Sequence, residues 1–211
     1  MSAKFIQTPR FPERQDRTRW VYEHFALVFR EGSVLDVGCY EAPMRQFIGA
    51  ERYTGVDVAG HPDVVLNLEE CSRLPFEDRS YDTVMCIEVL EHLGNLHVLV
   101  EDLFRVSRKY VLISLPNAWR DARRKIERGS GKIAHYGLPT QPPADRHKWF
   151  FNVTDARQFL EGVTPPGWTC DIEVSEPRRA GVVQALRRLR HSREAYGNRY
   201  GQTVWAQYTA G

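Results

Sequence analysis

The stretch VLDVGCYEAPMRQFIGAERYTGVDV, residues 34–58, decides the fold. Val34-Leu35-Asp36-Val37 is a short apolar run ended by Gly38, the pattern of a buried strand. Pro43 then falls where the first turn of a helix tolerates it, and Met44, Phe47 and Ile48 are spaced to face a core. Tyr53-Thr54-Gly55-Val56-Asp57-Val58 reads as a second strand. Strand, helix and strand in so few residues make a βαβ unit, and such units build parallel sheets.

Working outward, Val64-Val65-Leu66-Asn67-Leu68 reads as a third strand and residues 81–87 as a fourth. Residues 88–93 lead into a helix running to about Val106, and residues 110–115 form a fifth strand stopped by Pro116. Upstream, residues 1–17 are polar and contain prolines, which suits an arm or lid. Trp20, Tyr22, Phe25, Ala26 and Phe29 follow at roughly helical spacing, closed by Gly32. Beyond Pro116 the rhythm breaks, with Gly129, Gly131, Gly137, Pro139, Pro142 and Pro143. A helix resumes at 154–160, with Thr154 or Asp155 placed to cap it. Residues 169–174 and 203–208 read as further strands, flanking an arginine-rich segment with Val182, Val183, Leu186 and Leu189 at helical spacing. The simplest reading of that segment docks its apolar face on the sheet and leaves the arginines in solvent. The first five strands predict a single α/β domain, Rossmann-like and doubly wound, on a mostly parallel sheet.

In such a sheet ligands bind beyond the carboxyl ends of the strands. That edge collects Asp36, Gly38, Asp57, Asn67, Ile87 and Glu88. Asp57 lies 21 positions after Asp36, near the ~20-residue offset at which an acid receives ribose hydroxyls. A dinucleotide fold needs G-x-G-x-x-G so that pyrophosphate can approach bare backbone. Here Tyr40 and Pro43 stand two and five positions after Gly38, which removes that room. S-adenosylmethionine carries no phosphate, and its ammonium suits an acid such as Asp36 inside the first strand.

At 211 residues the chain suits one domain with a sizeable core. No apolar run approaches the ~18 residues of a membrane span, and the first twenty residues lack the apolar region of a signal peptide. Cys39, Cys71, Cys86 and Cys170 are scattered, with no CxxC pair, so they read as free thiols in a reducing compartment, and the cytoplasm is the expected location. The net charge of +2 hides a segregation. Residues 117–150 hold eight basic side chains against three acidic, and residues 176–199 hold seven against two, which leaves the remainder at −8. Two short basic stretches on an acidic protein point to an anionic partner.

VLDVGCYEAPMRQF, YTGVDV, NLEECSRLPFEDRSYDTVMCIEVLEHL and RVSRKYVLISLPN, taken in order, resemble the successive motifs of class I S-adenosylmethionine-dependent methyltransferases. The likeness runs over residues 34–117 and is closest to the group with LPF and EVLEHL signatures. It implies a seven-stranded sheet with an antiparallel last strand, and S-adenosyl-L-methionine as methyl donor. It places Asp36, Gly38 and Tyr40 on the methionine-binding loop, Asp57 and Val58 at the ribose, Asn67 and Leu68 at the adenine, and Ile87 beside the donor. The family's loop has glycines where this chain has Tyr40 and Ala42.

Methyl transfer needs alignment and, for a hydroxyl acceptor, a base. Glu88, Glu91 and His92 follow the fourth strand, and His147 follows the fifth on the same edge. His92, His147 and Glu88 are therefore the catalytic candidates. ExxEH with a later histidine also resembles the metal-binding set of small-RNA terminal 2′-O-methyltransferases, although EVLEHL is widespread in relatives without a metal, and no metal is assigned. The expected acceptor is a small or glycan-like anionic molecule, methylated on oxygen or nitrogen. RNA, with 2′-O-methylation, is the alternative, and a non-catalytic donor-binding protein is a third reading. The expected division is an N-terminal arm and helix (1–32), a donor-binding core (33–116), an acceptor-side lid (117–151) and a C-terminal part (152–211) with a basic helical insert at about 176–199.

Overall fold

A computed structural model describes residues 3–143 and 145–211. Its strands are β1 (Lys4–Thr8), β2 (Val34–Val37), β3 (Tyr53–Asp57), β4 (Val64–Val65), β5 (Tyr81–Ile87), β6 (Ser107–Pro116), β7 (Trp168–Pro177) and β8 (Thr203–Ala210). The helices are α1 (Arg14–His24), α2 (Ala26–Phe29), α3 (Arg45–Ile48), α4 (Leu96–Val106), α5 (Ala118–Arg128), α6 (Val153–Gly162), α7 (Gly181–Arg190) and α8 (Arg193–Tyr200). The strands form one sheet in the order β1-β7-β8-β6-β5-β2-β3-β4. β8 runs antiparallel to both its neighbours, and every other pairing is parallel.

Alternation along the strands explains the layers. Leu35 and Val37, Val84 and Cys86, Val111 and Ile113, and Val204, Ala206 and Tyr208 face one side, where α4 and α6 cover them. α4 buries Leu96, Leu99, Val100, Leu103 and Phe104, the spacing of one helical face. Val34, Met85, Leu112 and Trp205 face the other side, against Val21, Phe25, Val28 and Phe29 of the N-terminal helices and Met44 and Ile48 around α3. This is the doubly wound architecture, with helices on both faces of the sheet.

The sheet has eight strands where seven were expected. The extra one is β1, from a segment read as a polar arm. Lys4–Thr8 extends the sheet edge in register with Glu173–Pro177, and Lys4 Nζ lies 2.9 Å from Glu173 Oε1. The third expected strand shrinks to Val64–Val65, because Asn67 Oδ1 accepts the Glu69 N–H and turns the chain. α6 is capped by Asn152 rather than by Thr154 or Asp155: its Oδ1 accepts from the N–H groups of both, and Asp155 reaches back to Asn152 N–H. α7 does not dock its apolar face on the sheet. It has no buried residue, and Val182, Leu186 and Leu189 are exposed. What fixes it is Glu176 at the end of β7, which accepts from Gln184 and Arg188.

The fold creates one place where strand order reverses: β3 lies on one side of β2 and β5 on the other. Gly38 follows β2 and Glu88 follows β5. The carboxyl ends of these two strands flank the crevice in which such sheets bind ligands. Among the described residues, no helix is long and apolar enough to cross a membrane.

Candidate active site

The donor end is built from β2, β3 and the loop after β2. Asp36 is buried, and its Oδ2 accepts the Tyr53 hydroxyl at 2.6 Å. Burial pushes its carboxyl up to about 7, Asp57 raises it further, and the Tyr53 hydroxyl holds it down in part. Gly38 has φ +84°, and a Cβ there would run into the Val89 side chain. Tyr40 and Ala42 also have positive φ, 48° and 50°. These are the positions where the resembled family carries glycine. This chain keeps the loop shape with ordinary residues, at an order of 1 kcal/mol each. The hydrogen bonds that hold it run from Tyr40 N–H to Asp57 Oδ2 at 2.8 Å and from His61 N–H to Tyr40 O at 2.7 Å.

Asp57 Oδ1 accepts from Val58 N–H at 2.7 Å and Ala59 N–H at 3.1 Å. The carboxylate is thereby fixed at the tip of β3, with lone pairs left over. Tyr40 and Val58 are exposed beside it, while Leu68 is buried and Ile87 half-buried. Asn67 Oδ1 takes the Glu69 N–H at 3.1 Å. Under α1, a cavity of about 50 Å³ is walled by Asp36, Gly38, Met44 and Met85 and closed by Arg14 and Arg17. That is room for one or two waters. An ammonium would fit beside Asp36 there.

The acceptor end is a cleft of about 760 Å³ that brings together Glu88, Glu91, His92, His135, Asp145 and His147. Glu88 opens the turn after β5 with φ 53°, a left-handed conformation that a non-glycine residue adopts only when its surroundings hold it. Its carboxylate pairs with Arg17 and accepts from Thr203 Oγ1 at 3.3 Å. Glu91 is buried, and its Oε2 has no hydrogen-bond partner among the described residues. Burial holds its carboxyl well above the usual range, and neighbouring Glu88 adds to this.

His92 Nδ1 lies 2.9 Å from Asp145 Oδ1, and His135 Nδ1 lies 3.0 Å from Asp145 Oδ2. Asp145 thus orients both rings. His147 stacks on His135 at 4.4 Å and meets His92 edge-on at 4.5 Å. Tyr136 donates its hydroxyl to Trp149 O at 2.7 Å, so its oxygen accepts from His147 Nδ1 at 3.2 Å. These partners assign the proton to Nδ1 in both His92 and His147 and leave each Nε2 as an acceptor. Burial lowers the pKa of both rings, in His147 to about 4, with the neighbouring imidazoles adding to the effect. Both are neutral near pH 7.

The structure brings every sequence-stated acceptor candidate, His92, His147 and Glu88, into this one cleft. It adds His135, Asp145 and Arg10, Arg14 and Arg17 of the N-terminal segment, with Tyr136 behind His147. Nothing in their spacing announces them, because loop 129–152 folds back through irregular backbone.

The Rossmann-like sheet, with its strand order reversing at β2 and a polar cleft beside that point, has the architecture of a doubly wound ligand-binding protein. A family model described as "Methyltransferase domain" matches residues 12–163, and the chain belongs to that family. The protein is an S-adenosylmethionine-dependent methyltransferase. Among solved structures it is similar to an S-adenosylmethionine-dependent methyltransferase from Archaeoglobus fulgidus, at 17% identity and TM-score 0.59 over 95% of this chain and 96% of that one. It is also similar to magnesium protoporphyrin IX methyltransferase from Synechocystis PCC 6803 with bound S-adenosylhomocysteine, at 14% identity and TM-score 0.55 over 93% and 83% of the two chains. The small RNA methyltransferase HEN1 matches at 16% identity and TM-score 0.59, over 99% of this chain and 27% of that chain. A comparison with curated proteins finds no match.

Proposed function

We propose that this methyltransferase acts on a hydroxyl of a small or glycan-like anionic acceptor bound in the cleft that holds His92 and His147. The observation that carries this reading is the lining of that one cleft: the imidazoles of His92 and His147 stand among Arg10, Arg14, Arg120 and Arg179. S-adenosylmethionine supplies the methyl group from its sulfonium. Asp36 would receive its ammonium, Gly38 and Tyr40 would form the loop around its methionine part, and Asp57 with Val58 would hold the ribose. Asn67 and Leu68 would border the adenine, and Ile87 the reacting end.

His92 is the base in this reading. Asp145 orients its ring through Nδ1, and Nε2 accepts the proton of the acceptor hydroxyl. His147 packs edge-on against it and positions the acceptor. Glu88, held by Arg17 and Thr203, fixes α1 over the donor end. The test is release of S-adenosylhomocysteine from purified protein with a panel of phosphorylated and unphosphorylated polyols and sugars. Turnover confined to anionic hydroxyl compounds supports the reading; turnover on neutral amines overturns it.

A second reading rests on a separate observation. Ligand atoms of Glu91, His92 and His147 lie within 4.8 Å of one another, and Glu91 Oε2 is buried without a partner. Mixed carboxylate and imidazole donors fit a divalent transition metal, which would polarise the acceptor oxygen. In that case the alternative acceptor is an RNA 2′-hydroxyl, as the resemblance to the small-RNA enzymes suggests. Activity lost on chelation and restored by Mn²⁺ or Co²⁺ would favour this reading over a metal-free His92 base.

A further inference from the structure

Beside the cleft lies a second cavity, of about 330 Å³, enclosed by α5, α7, α8 and the end of β7. Eight cationic side chains line it against two acids, Asp121 and Glu176. These two acids offset only a small part of that charge. Glu176 is buried and accepts from Gln184, Arg188 and Tyr196, and Asp121 pairs with Arg120 at 2.9 Å. Among the described residues, Arg124, Arg128 and Arg179 meet no carboxylate, and Arg187 lies only against the Tyr200 ring at 4.5 Å. Arg179 is surrounded by Arg187, Arg120, Arg124 and Arg10, and burial together with this crowding depresses its pKa. Guanidiniums drawn together from three separate elements repel one another. Folding tolerates such a concentration where a multiply charged anion compensates it.

The cavity and the cleft adjoin, sharing Arg120, Asp121, Pro177 and Arg179 in their linings. A molecule anchored in the cavity and reaching past these shared residues would approach the cleft that holds His92 and His147. We propose that this cavity is an anion subsite for a phosphoryl or diphosphoryl group carried by the acceptor, which places the acceptor among phosphate esters. The inference rests on the acceptor reading above and gives its anion a chemical identity. The guanidinium fork matches phosphate oxygens in bidentate pairs, and several forks converging on one cavity suit two adjoining phosphoryl groups better than one carboxylate. The site is a concave cavity rather than a long basic track with stacking platforms, which favours a compact group over a nucleic-acid backbone.

The test is calorimetry of the full chain with inorganic diphosphate at low salt, with phosphate and acetate for comparison and S-adenosylhomocysteine titrated separately. Diphosphate should bind more tightly than phosphate, acetate should not bind detectably, and affinity should fall as salt rises. Arg179→Gln combined with Arg187→Gln should weaken diphosphate at least about tenfold, while S-adenosylhomocysteine affinity stays unchanged. Arg73→Gln, a remote surface change, should alter neither. Vesicles of phosphatidylcholine carrying phosphatidic acid separate two sources of the same chemistry. Co-sedimentation lost in the double variant puts the phosphate on a lipid headgroup, and diphosphate binding without co-sedimentation puts it on a freely diffusing acceptor. The proposal is overturned if diphosphate fails to bind, if acetate binds equally, if Arg73→Gln weakens binding as much as the double variant, or if a single-stranded RNA binds and diphosphate does not displace it. Failure of S-adenosylhomocysteine to bind would instead strike at the methyltransferase reading, leaving the anion result to stand by itself.

Discussion

Donor affinity should depend on pH through Asp36. Its carboxyl is buried between β2 and its neighbours and is raised to about 7, chiefly by desolvation. A neutral carboxyl offers an ammonium little attraction, so the binding-competent form is the ionised one. At pH 8 that form is about nine-tenths of the protein and at pH 6 about one-tenth, so affinity for S-adenosylhomocysteine should be about tenfold weaker at pH 6. Tenfold corresponds to about 1.4 kcal/mol. The sign is fixed by the direction of the shift: protonation of a raised carboxyl opposes binding as pH falls. Calorimetry at pH 6, 7 and 8 measures it, and near pH 7 repetition in buffers of different ionisation enthalpy should show net proton release on binding. Asp36→Asn keeps the shape and can still accept the Tyr53 hydroxyl, but it cannot titrate. It should bind weakly at every pH and lose the slope, which corrects for titration elsewhere. An affinity flat between pH 6 and 8 in the unaltered protein, or the same slope in Asp36→Asn, would refute the assignment of Asp36 to the ammonium.

His92→Asn should lower turnover by about 10²–10⁴ while leaving S-adenosylhomocysteine affinity in place; retention of near-full turnover means the base lies elsewhere. Asp57→Ala should weaken S-adenosylhomocysteine by about 1–3 kcal/mol through loss of charge-assisted hydrogen bonds, and an unchanged dissociation constant would remove Asp57 from the ribose. Gly38→Ala combines a left-handed backbone with a clash against Val89, a cost on the order of 3 kcal/mol. In a chain of this size that lowers the melting temperature by roughly 6–12 °C, and a melting temperature within a degree of the parent would show that the loop relaxes freely.

The strand ends and loop that carry Asp36, Gly38, Tyr40 and Asp57 were legible because their information is local. Asp36, Gly38, Tyr40 and Asp57 each stand within one residue of a strand end or loop position that apolar runs and glycine mark. Glu88, His92 and His147 could be read from their places after strands, but their partners Arg17, Asp145 and Thr203 come from the N-terminal helix, an irregular loop and β8, which no local spacing links to them. β1 escaped notice because an edge strand needs few buried residues: Lys4–Thr8 is held by the backbone of β7 and by the Lys4–Glu173 pair rather than by an apolar run. α7 misled in the opposite sense. Its apolar spacing promised a docked face, yet buried Glu176 holds Gln184 and Arg188 on another face and leaves Leu186 and Leu189 exposed.

The segregation of charge along the chain acquires a spatial meaning once the elements are assembled. Asp36, Asp57, Glu88 and Glu91 gather at the carboxyl ends of β2, β3 and β5, where a ligand with an ammonium and a sulfonium would lie. The cations of α5, α7 and the β7–α7 turn gather a cleft's width away. Asp57 and the ionised form of Asp36 would favour a cation at one end, and the arginines without a carboxylate partner an anion at the other. Arg17 sits at the boundary and pairs with Glu88. If the acceptor carries the phosphoryl group proposed above, this pair stands between it and the donor-side acids.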